Sequence, residues 1–200
     1  KWTFTVLPDR SAVNEFGQRI GLFFKKLNHL AEKRLICKAL KLIGKPALED
    51  YYREFYQSVK EGLKAYELHG RDLLFHGASA VIVVGTRPGG SGRMEDALLA
   101  TQNILLAAHS MGLGTCLIGF AVEAMKKDAA IQQFLAIPAE ETVCSVIAVG
   151  YPDEQYEGLT GRIPVEHAGR NLHVILPLKD SPMHRVFLAF KRLVDLTTAL

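Results

Sequence analysis

Two apolar, β-branched runs separated by a long uncharged helical stretch predict a central sheet with helices on both faces, of the α/β or α+β class. Ala80-Val-Ile-Val-Val-Gly85 and Thr142-Val-Cys-Ser-Val-Ile-Ala-Val149 read as strands buried on both faces, because apolar residues are continuous there rather than alternating with polar ones. The stretch from Met94 to Met111 carries Ala97, Leu98, Thr101, Ile104, Leu105, Ala108 and Met111 at helical spacing. Its other side, with Ala100, Asn103, Leu106 and Ala107, is hardly more polar, so this helix is expected to be buried nearly all round.

The remaining elements follow in order. Residues 2–7 read as a first strand, closed by Pro8-Asp9, and Ser11 has the spacing of a helix cap. From Val13 to about Leu42, Lys25, Lys26, Lys33, Arg34, Lys38, Lys41 and Lys45 mingle with or follow Leu22, Phe23, Phe24, Leu27, Leu30, Leu35 and Leu40. The ordinary reading is a surface helix pair whose lysine stems cover apolar core; the alternative is an amphipathic face for a membrane or a partner. Gly44-Lys-Pro46 ends that region, and residues 48–68 supply one aromatic-rich helix, broken at Gly70. The long helix stops at Gly112 and turns through Gly114 into a short apolar segment ending at Gly119, where glycine lets backbone approach a flat ligand. A helix over about 123–135 precedes the second buried strand, which Gly150-Tyr-Pro152 terminates. Residues 153–170 show no helix or strand period, residues 172–176 read as a short strand, and Asp180 or Ser181 caps a last helix to about Leu196.

Composition narrows the function classes. Two hundred residues, 48% hydrophobic and 22% charged, suit a globular domain that buries roughly 70% of its unfolded surface. A net charge of +3, read as evenly spread, argues against nucleic acid as a partner, and no apolar run is long enough for a membrane span. Cys37, Cys116 and Cys144 are far apart and form no Cys-x-x-Cys pair; they read as reduced thiols of a cytoplasmic protein, packed as small hydrophobes. The chain opens at Lys1 already inside a strand pattern, which leads to the expectation of further residues upstream.

Several chemical motifs fail in detail. The loop Thr86-Arg-Pro-Gly-Gly-Ser-Gly-Arg93 lies between a strand and a helix, where glycine-rich backbone can cradle phosphate. The third glycine of a dinucleotide fingerprint is missing, however, and Ser91 stands where a P-loop needs lysine. Glu95 and Asp96 add negative charge there, so a loop capped by its own acids is the better reading. His69, His76, His109, His167 and His173 have no metal-ligand spacing, and Gly-x-Ser-x-Gly is absent.

Four segments in the right order carry a family resemblance: Phe75-His-Gly-Ala-Ser-Ala-Val-Ile-Val-Val, Gln102-Asn-Ile-Leu-Leu-Ala-Ala-His-Ser-Met-Gly-Leu-Gly-Thr-Cys, Val146-Ile-Ala-Val-Gly-Tyr-Pro, and Gly161-Arg-Ile-Pro-Val-Glu166. Together they resemble the flavin-binding core of the nitroreductase family over residues 1–170, with residues 171–200 as a C-terminal extension. The resemblance implies an α+β fold, a central mainly antiparallel sheet flanked by helices on both faces, and a homodimer with FMN at the subunit interface. It implies that Gly114 and Thr115 shape the turn beside the isoalloxazine ring, that Leu117, Ile118 and Gly119 line it, and that a backbone N–H near Gly119 faces N5. Arg162 would grip the flavin phosphate with its planar guanidinium, the alternative being an ordinary surface arginine. No catalytic side chain is nominated, because the cofactor carries the chemistry.

The implied activity is FMN-dependent transfer of electrons from NAD(P)H or ferredoxin to a small electron-poor acceptor such as a nitroaromatic or quinone. Two departures qualify it. The family's Arg-Ser-x-Arg segment has no counterpart in these residues, and Thr160 stands where some relatives place a second basic residue. The wording of the motifs is especially similar to relatives with an N-terminal ferredoxin module, so an iron–sulfur cluster is expected only if such a module lies upstream; the three cysteines cannot supply its ligands. The rival class is an interaction protein, flavin-binding or flavin-less, that uses the lysine-rich 25–45 region or the C-terminal helix.

Overall fold

The computed structural model describes residues 2–44 and 46–153, apart from the side chain of Arg34. Residues 1–155 form one compact unit; the second unit, 156–200, lies outside the described residues. The expected strand at 172–176, the last helix and the division at residue 170 therefore fall outside them too.

The elements run β1 (Trp2–Leu7), α1 (Arg10–Ala31), α2 (Arg34–Leu42), α3 (Ala47–Glu54), α4 (Tyr56–His69), β2 (Ala80–Thr86), α5 (Arg93–Ser110), β3 (Gly114–Leu117), α6 (Gly119–Lys127), α7 (Ala129–Phe134) and β4 (Thr142–Gly150). The sheet order is β1-β2-β4-β3, and every pairing is antiparallel. The fold is thus α+β, as the family resemblance implied.

Alternation along the two central strands divides the core. Val81, Val83, Val143, Val146 and Ala148 join Phe16, Ile20 and Phe24 of α1 and Ala121 and Met125 of α6 in the larger cluster. Val84 and Ile147 point the other way, onto Ala97 of α5. A register shift at Val84/Gly85 pairs Val84 with Ser145 but Gly85 with Val143, leaving Cys144 as the extra residue of a bulge. Ser145 thereby also faces α5, where its hydroxyl lies 2.7 Å from that of Thr101.

Gly85 sits at that bulge, where any larger residue would have to push a neighbour aside. A Cβ there would stand 3.0 Å from Thr3 Oγ1 and 3.2 Å from the carbonyl oxygen of Thr142. Gly85→Ala should lower stability by about 1–2 kcal/mol, read as a lower urea midpoint. An unchanged midpoint would show that β1 and β4 yield at no cost.

Local chemistry sets the helix ends, and three differ from expectation. The cap of α1 is Asp9, whose carboxylate accepts from Ala12 N–H at 2.9 Å, so Ser11 lies inside the first turn. The expected single helix over 48–68 is broken at Phe55, where φ is −121° and the ring turns edge-on to Phe120. The helix expected from Glu123 begins at Gly119, directly after the sheet, and is divided at Asp128, which caps α7 through Ala130 N–H. Gly70, at φ +63°, closes α4 in the left-handed conformation, its N–H on Tyr66 O and that of Arg71 on Ala65 O.

The turn before β2 is built on Asp72. One carboxylate oxygen accepts from Leu74 and Phe75 N–H, at 3.0 and 2.9 Å, and the other from Arg10 at 3.0 Å and Gly77 N–H at 3.4 Å. Burial pushes the Asp72 carboxyl up. The donors on Phe75, Leu74, Arg10 and Gly77 outweigh it and hold the group below its usual range. Arg10 also donates to Ala78 O at 2.9 Å, so one ion pair ties the start of α1 to the entry of β2.

The long helix α5 is not buried all round. Only Ala97, Thr101 and Ala108 are fully buried, while Leu98, Leu99 and Leu106 stand exposed. Small residues bring one side close to the sheet, and among the described residues no second layer covers the other. On the same side of the sheet Trp2, Phe4 and Val6 of β1 are also exposed. Cys37 is buried, as expected for a small hydrophobe, but Cys116 is exposed and Cys144 intermediate; all three are free thiols.

Candidate functional site

The segment singled out in sequence folds into the β3 edge and the start of α6. β3 pairs with β4 alone among the described strands, with Gly114 opposite Gly150 and Leu117 opposite Ile147. Because side chains alternate, Thr115 and Leu117 share the α5 side with Val149 and Ile147, and Cys116 points to the opposite side. Leu117 is 54% exposed.

Ile118 is turned inward. Its side chain belongs to the large core cluster and its N–H bonds Val146 O at 2.8 Å, so only its carbonyl edge and chain path border the exposed rim. Gly114 is placed by packing, since a Cβ there would meet Pro152 Cβ at 3.3 Å. Gly119 has the opposite environment: a Cβ would meet nothing within 4 Å. As the first residue of α6 it has no intrahelical acceptor for its N–H, and no described residue accepts from it. The structure therefore brings together an exposed Leu117, an open Gly119 and, at the positive end of a helix, an N–H with no acceptor among the described residues, which suits the electron-rich edge of a planar ring. Arg162 lies outside the described residues.

Sequence reasoning missed a cleft on the α1 side of the sheet, away from Thr115 and Leu117. About 480 Å³ opens between α1 and α4, lined chiefly by apolar groups that include Ile20, Phe24, Leu63 and Phe75, with Phe120 in its wall. None of the expected site residues lines it, but Phe120 directly follows Gly119. The only sequence signal was an aromatic residue just after the terminal glycine.

The loop rejected as a phosphate cradle is held by protein groups. Arg87 Nε donates to Glu141 at 2.9 Å, and Thr3 Oγ1 donates to the other oxygen of the same buried carboxylate at 2.7 Å. Its Arg87 is thus already paired, and Glu95 and Asp96 occupy the first turn of α5.

Comparison with known proteins agrees with this architecture. The sequence profile of the Nitroreductase family matches residues 2–151. The chain belongs to the nitroreductase family. A 4-nitrobenzoate reductase of a Nocardioides species is 31% identical over 140 residues, 62% of this chain and 56% of that protein. An Archaeoglobus fulgidus protein, provisionally named NADH dehydrogenase/NAD(P)H nitroreductase, is 39% identical over 85 residues, 39% of this chain and 47% of that protein. The nitroreductase-family chain thus spans about half the length of these two curated relatives. Its fold is shared with a nitroreductase from Desulfitobacterium hafniense solved with bound FMN, at a TM-score of 0.51 and 21% identity, covering 82% of this chain and 76% of that one.

Proposed function

We propose that this nitroreductase-family chain is an FMN-dependent oxidoreductase that takes electrons from NAD(P)H or ferredoxin and delivers them to a small electron-poor acceptor, a nitroaromatic or a quinone. The observation that carries the reading is Gly119: its N–H has no acceptor among the described residues and its α-carbon faces open space. Those are the two properties a backbone donor to a flavin ring needs. When bound, FMN supplies two-electron transfer between donor and acceptor. The protein's part would be to hold and polarise it: Gly119 N–H would be the donor to ring N5, and Thr115 and Leu117 would border the ring from β3. Gly114 sets the turn, and Ile118 anchors the rim through its buried side chain.

Arg162 is assigned to the flavin phosphate. Arg162→Ala should weaken FMN affinity about tenfold, the loss of one charge-assisted contact, without lowering the melting temperature of the apoprotein. Equal affinity of the two proteins in a fluorescence titration would remove that assignment.

The reading also includes a homodimer. Its support is the exposed apolar side of the sheet, where Trp2, Phe4 and Val6 of β1 lie on the same side as Leu98, Leu99 and Leu106 of α5. Thr115 and Leu117 face that side too, so a second copy there would border the same rim.

The visible spectrum of the purified protein, with the cofactor released by heat and weighed by mass spectrometry, tests the central claim. FMN near one per chain is expected. A colourless protein that takes up no added FMN, even when expressed from the complete gene, would overturn it in favour of an interaction role.

A further inference from the structure

The ordinary reading of the lysine-rich region, lysine stems laid over core, holds for α1 but not for α2. In α1 the stripe Val13, Phe16, Ile20 and Phe24 is buried. In α2, Ile36, Cys37 and Leu40 turn toward α1 and α3, while a second apolar stripe faces outward. Leu35 is 83% exposed and Leu42 is 88% exposed; Ala39 lies between them on the same side, and Ile43, just past the helix end, is 67% exposed. These positions fall at i, i+4, i+7 and i+8, one face of a helix.

Charge is concentrated in the same place. Residues 25–45 hold seven lysines and arginines against one acid, Glu32, whereas the whole chain nets only +3. The positive charge is therefore segregated here, and the rest of the chain is net acidic. Lys38 flanks the outward stripe and is exposed; Lys41, on the same flank, reaches Glu49 at 3.2 Å yet stays 62% exposed.

We propose that α2 docks this protein on an anionic lipid surface, with Leu35, Leu42 and Ile43 entering the headgroup boundary and Lys38 and Lys41 meeting lipid phosphates. An apolar stripe beside a cationic flank is complementary to such a surface, which offers both acyl carbon and negative charge. Nucleic acid would satisfy the lysines but leave the leucines in water. At nine residues α2 lies on a bilayer rather than crossing it, and no described helix is long and apolar enough to span one. The contact is independent of the flavin reading, since it uses no residue of the β3–α6 rim.

Flotation with vesicles decides it. Phosphatidylcholine vesicles containing about 30% phosphatidylglycerol should carry at least about tenfold more protein than phosphatidylcholine alone, and about 0.5 M salt should reverse most of the difference. The double variant Leu35→Ser, Leu42→Ser, exposed at both positions and so expected to fold, should lose about tenfold of that binding with unchanged circular dichroism. Equal flotation with neutral vesicles, or full binding by the double variant, would overturn the proposal. So would a fall in the oligomeric mass of the double variant, which would mark the stripe as a contact between copies of this chain.

Discussion

Gly119→Pro is expected to lower turnover of a nitroaromatic acceptor about a hundredfold while leaving the fold intact. Proline removes one N–H and is otherwise well suited to the first position of a helix, where no intrahelical acceptor exists. Gly119 is that first residue of α6, and Ile118 before it, at φ −101° and ψ 82°, lies outside the helical region that proline disfavours in the residue before it. Restricting the unfolded chain offsets the loss of glycine, so the melting temperature should not fall. If Gly119 N–H stabilises charge developing on the reduced ring, deleting it costs on the order of 10²–10³ in rate. Gly119→Ala is the control: the donor stays and the added methyl meets nothing within 4 Å, so activity should stay within about threefold of the parent. A proline variant that turns over like the parent would discard the donor role, whereas one that has lost its FMN would show that the contact serves retention.

How much of this was legible in the sequence depends on the range of the interaction concerned. β2 and β4 were plain because Val81 to Val84 and Val146 to Val149 are continuous apolar runs, a local signal of double burial. The bulge at Cys144 was not, because it arises only when β4 meets β2. The break at Phe55 carries no glycine or proline; it accompanies the edge contact with Phe120, 65 residues away in sequence. The same limit governs the rim. Leu117 and Ile118 look equivalent as letters, yet alternation against Ile147 and Val146 sends one to solvent and the other to the core. The apolar composition of α5 was read as all-round burial, but composition states only that a surface prefers cover, not which chain supplies it. The need for glycine at position 85 was hidden for a similar reason: the close approach of Thr3 and Thr142 appears only once three strands are aligned.

Asp72→Ala should cost about 3 kcal/mol at neutral pH, a fall of roughly 6–12 °C in melting temperature for a chain of this size. The side chain accepts from three backbone N–H groups and from the Arg10 guanidinium, and its removal leaves Leu74, Phe75, Gly77 and Arg10 without those bonds. The consequence reaches the core, because Phe75 is 2% exposed and stacks on Phe16 at 5.5 Å between centroids. Asp72→Asn should cost about half as much, since its amide oxygen still accepts from Leu74 and Phe75 while the charge facing Arg10 is gone. The pH dependence has a definite sign. The folded-state pKa of Asp72 is lowered, so its contribution is present above the unfolded value of about 4 and is lost as pH falls through the folded one. The gap in stability between parent and Asp72→Ala should therefore be constant from about pH 5 to 8 and narrow below about pH 4. A gap that persists unchanged to pH 2 would mean that the side chain holds the turn without its charge, and no gap at any pH would mean that chain geometry alone holds it.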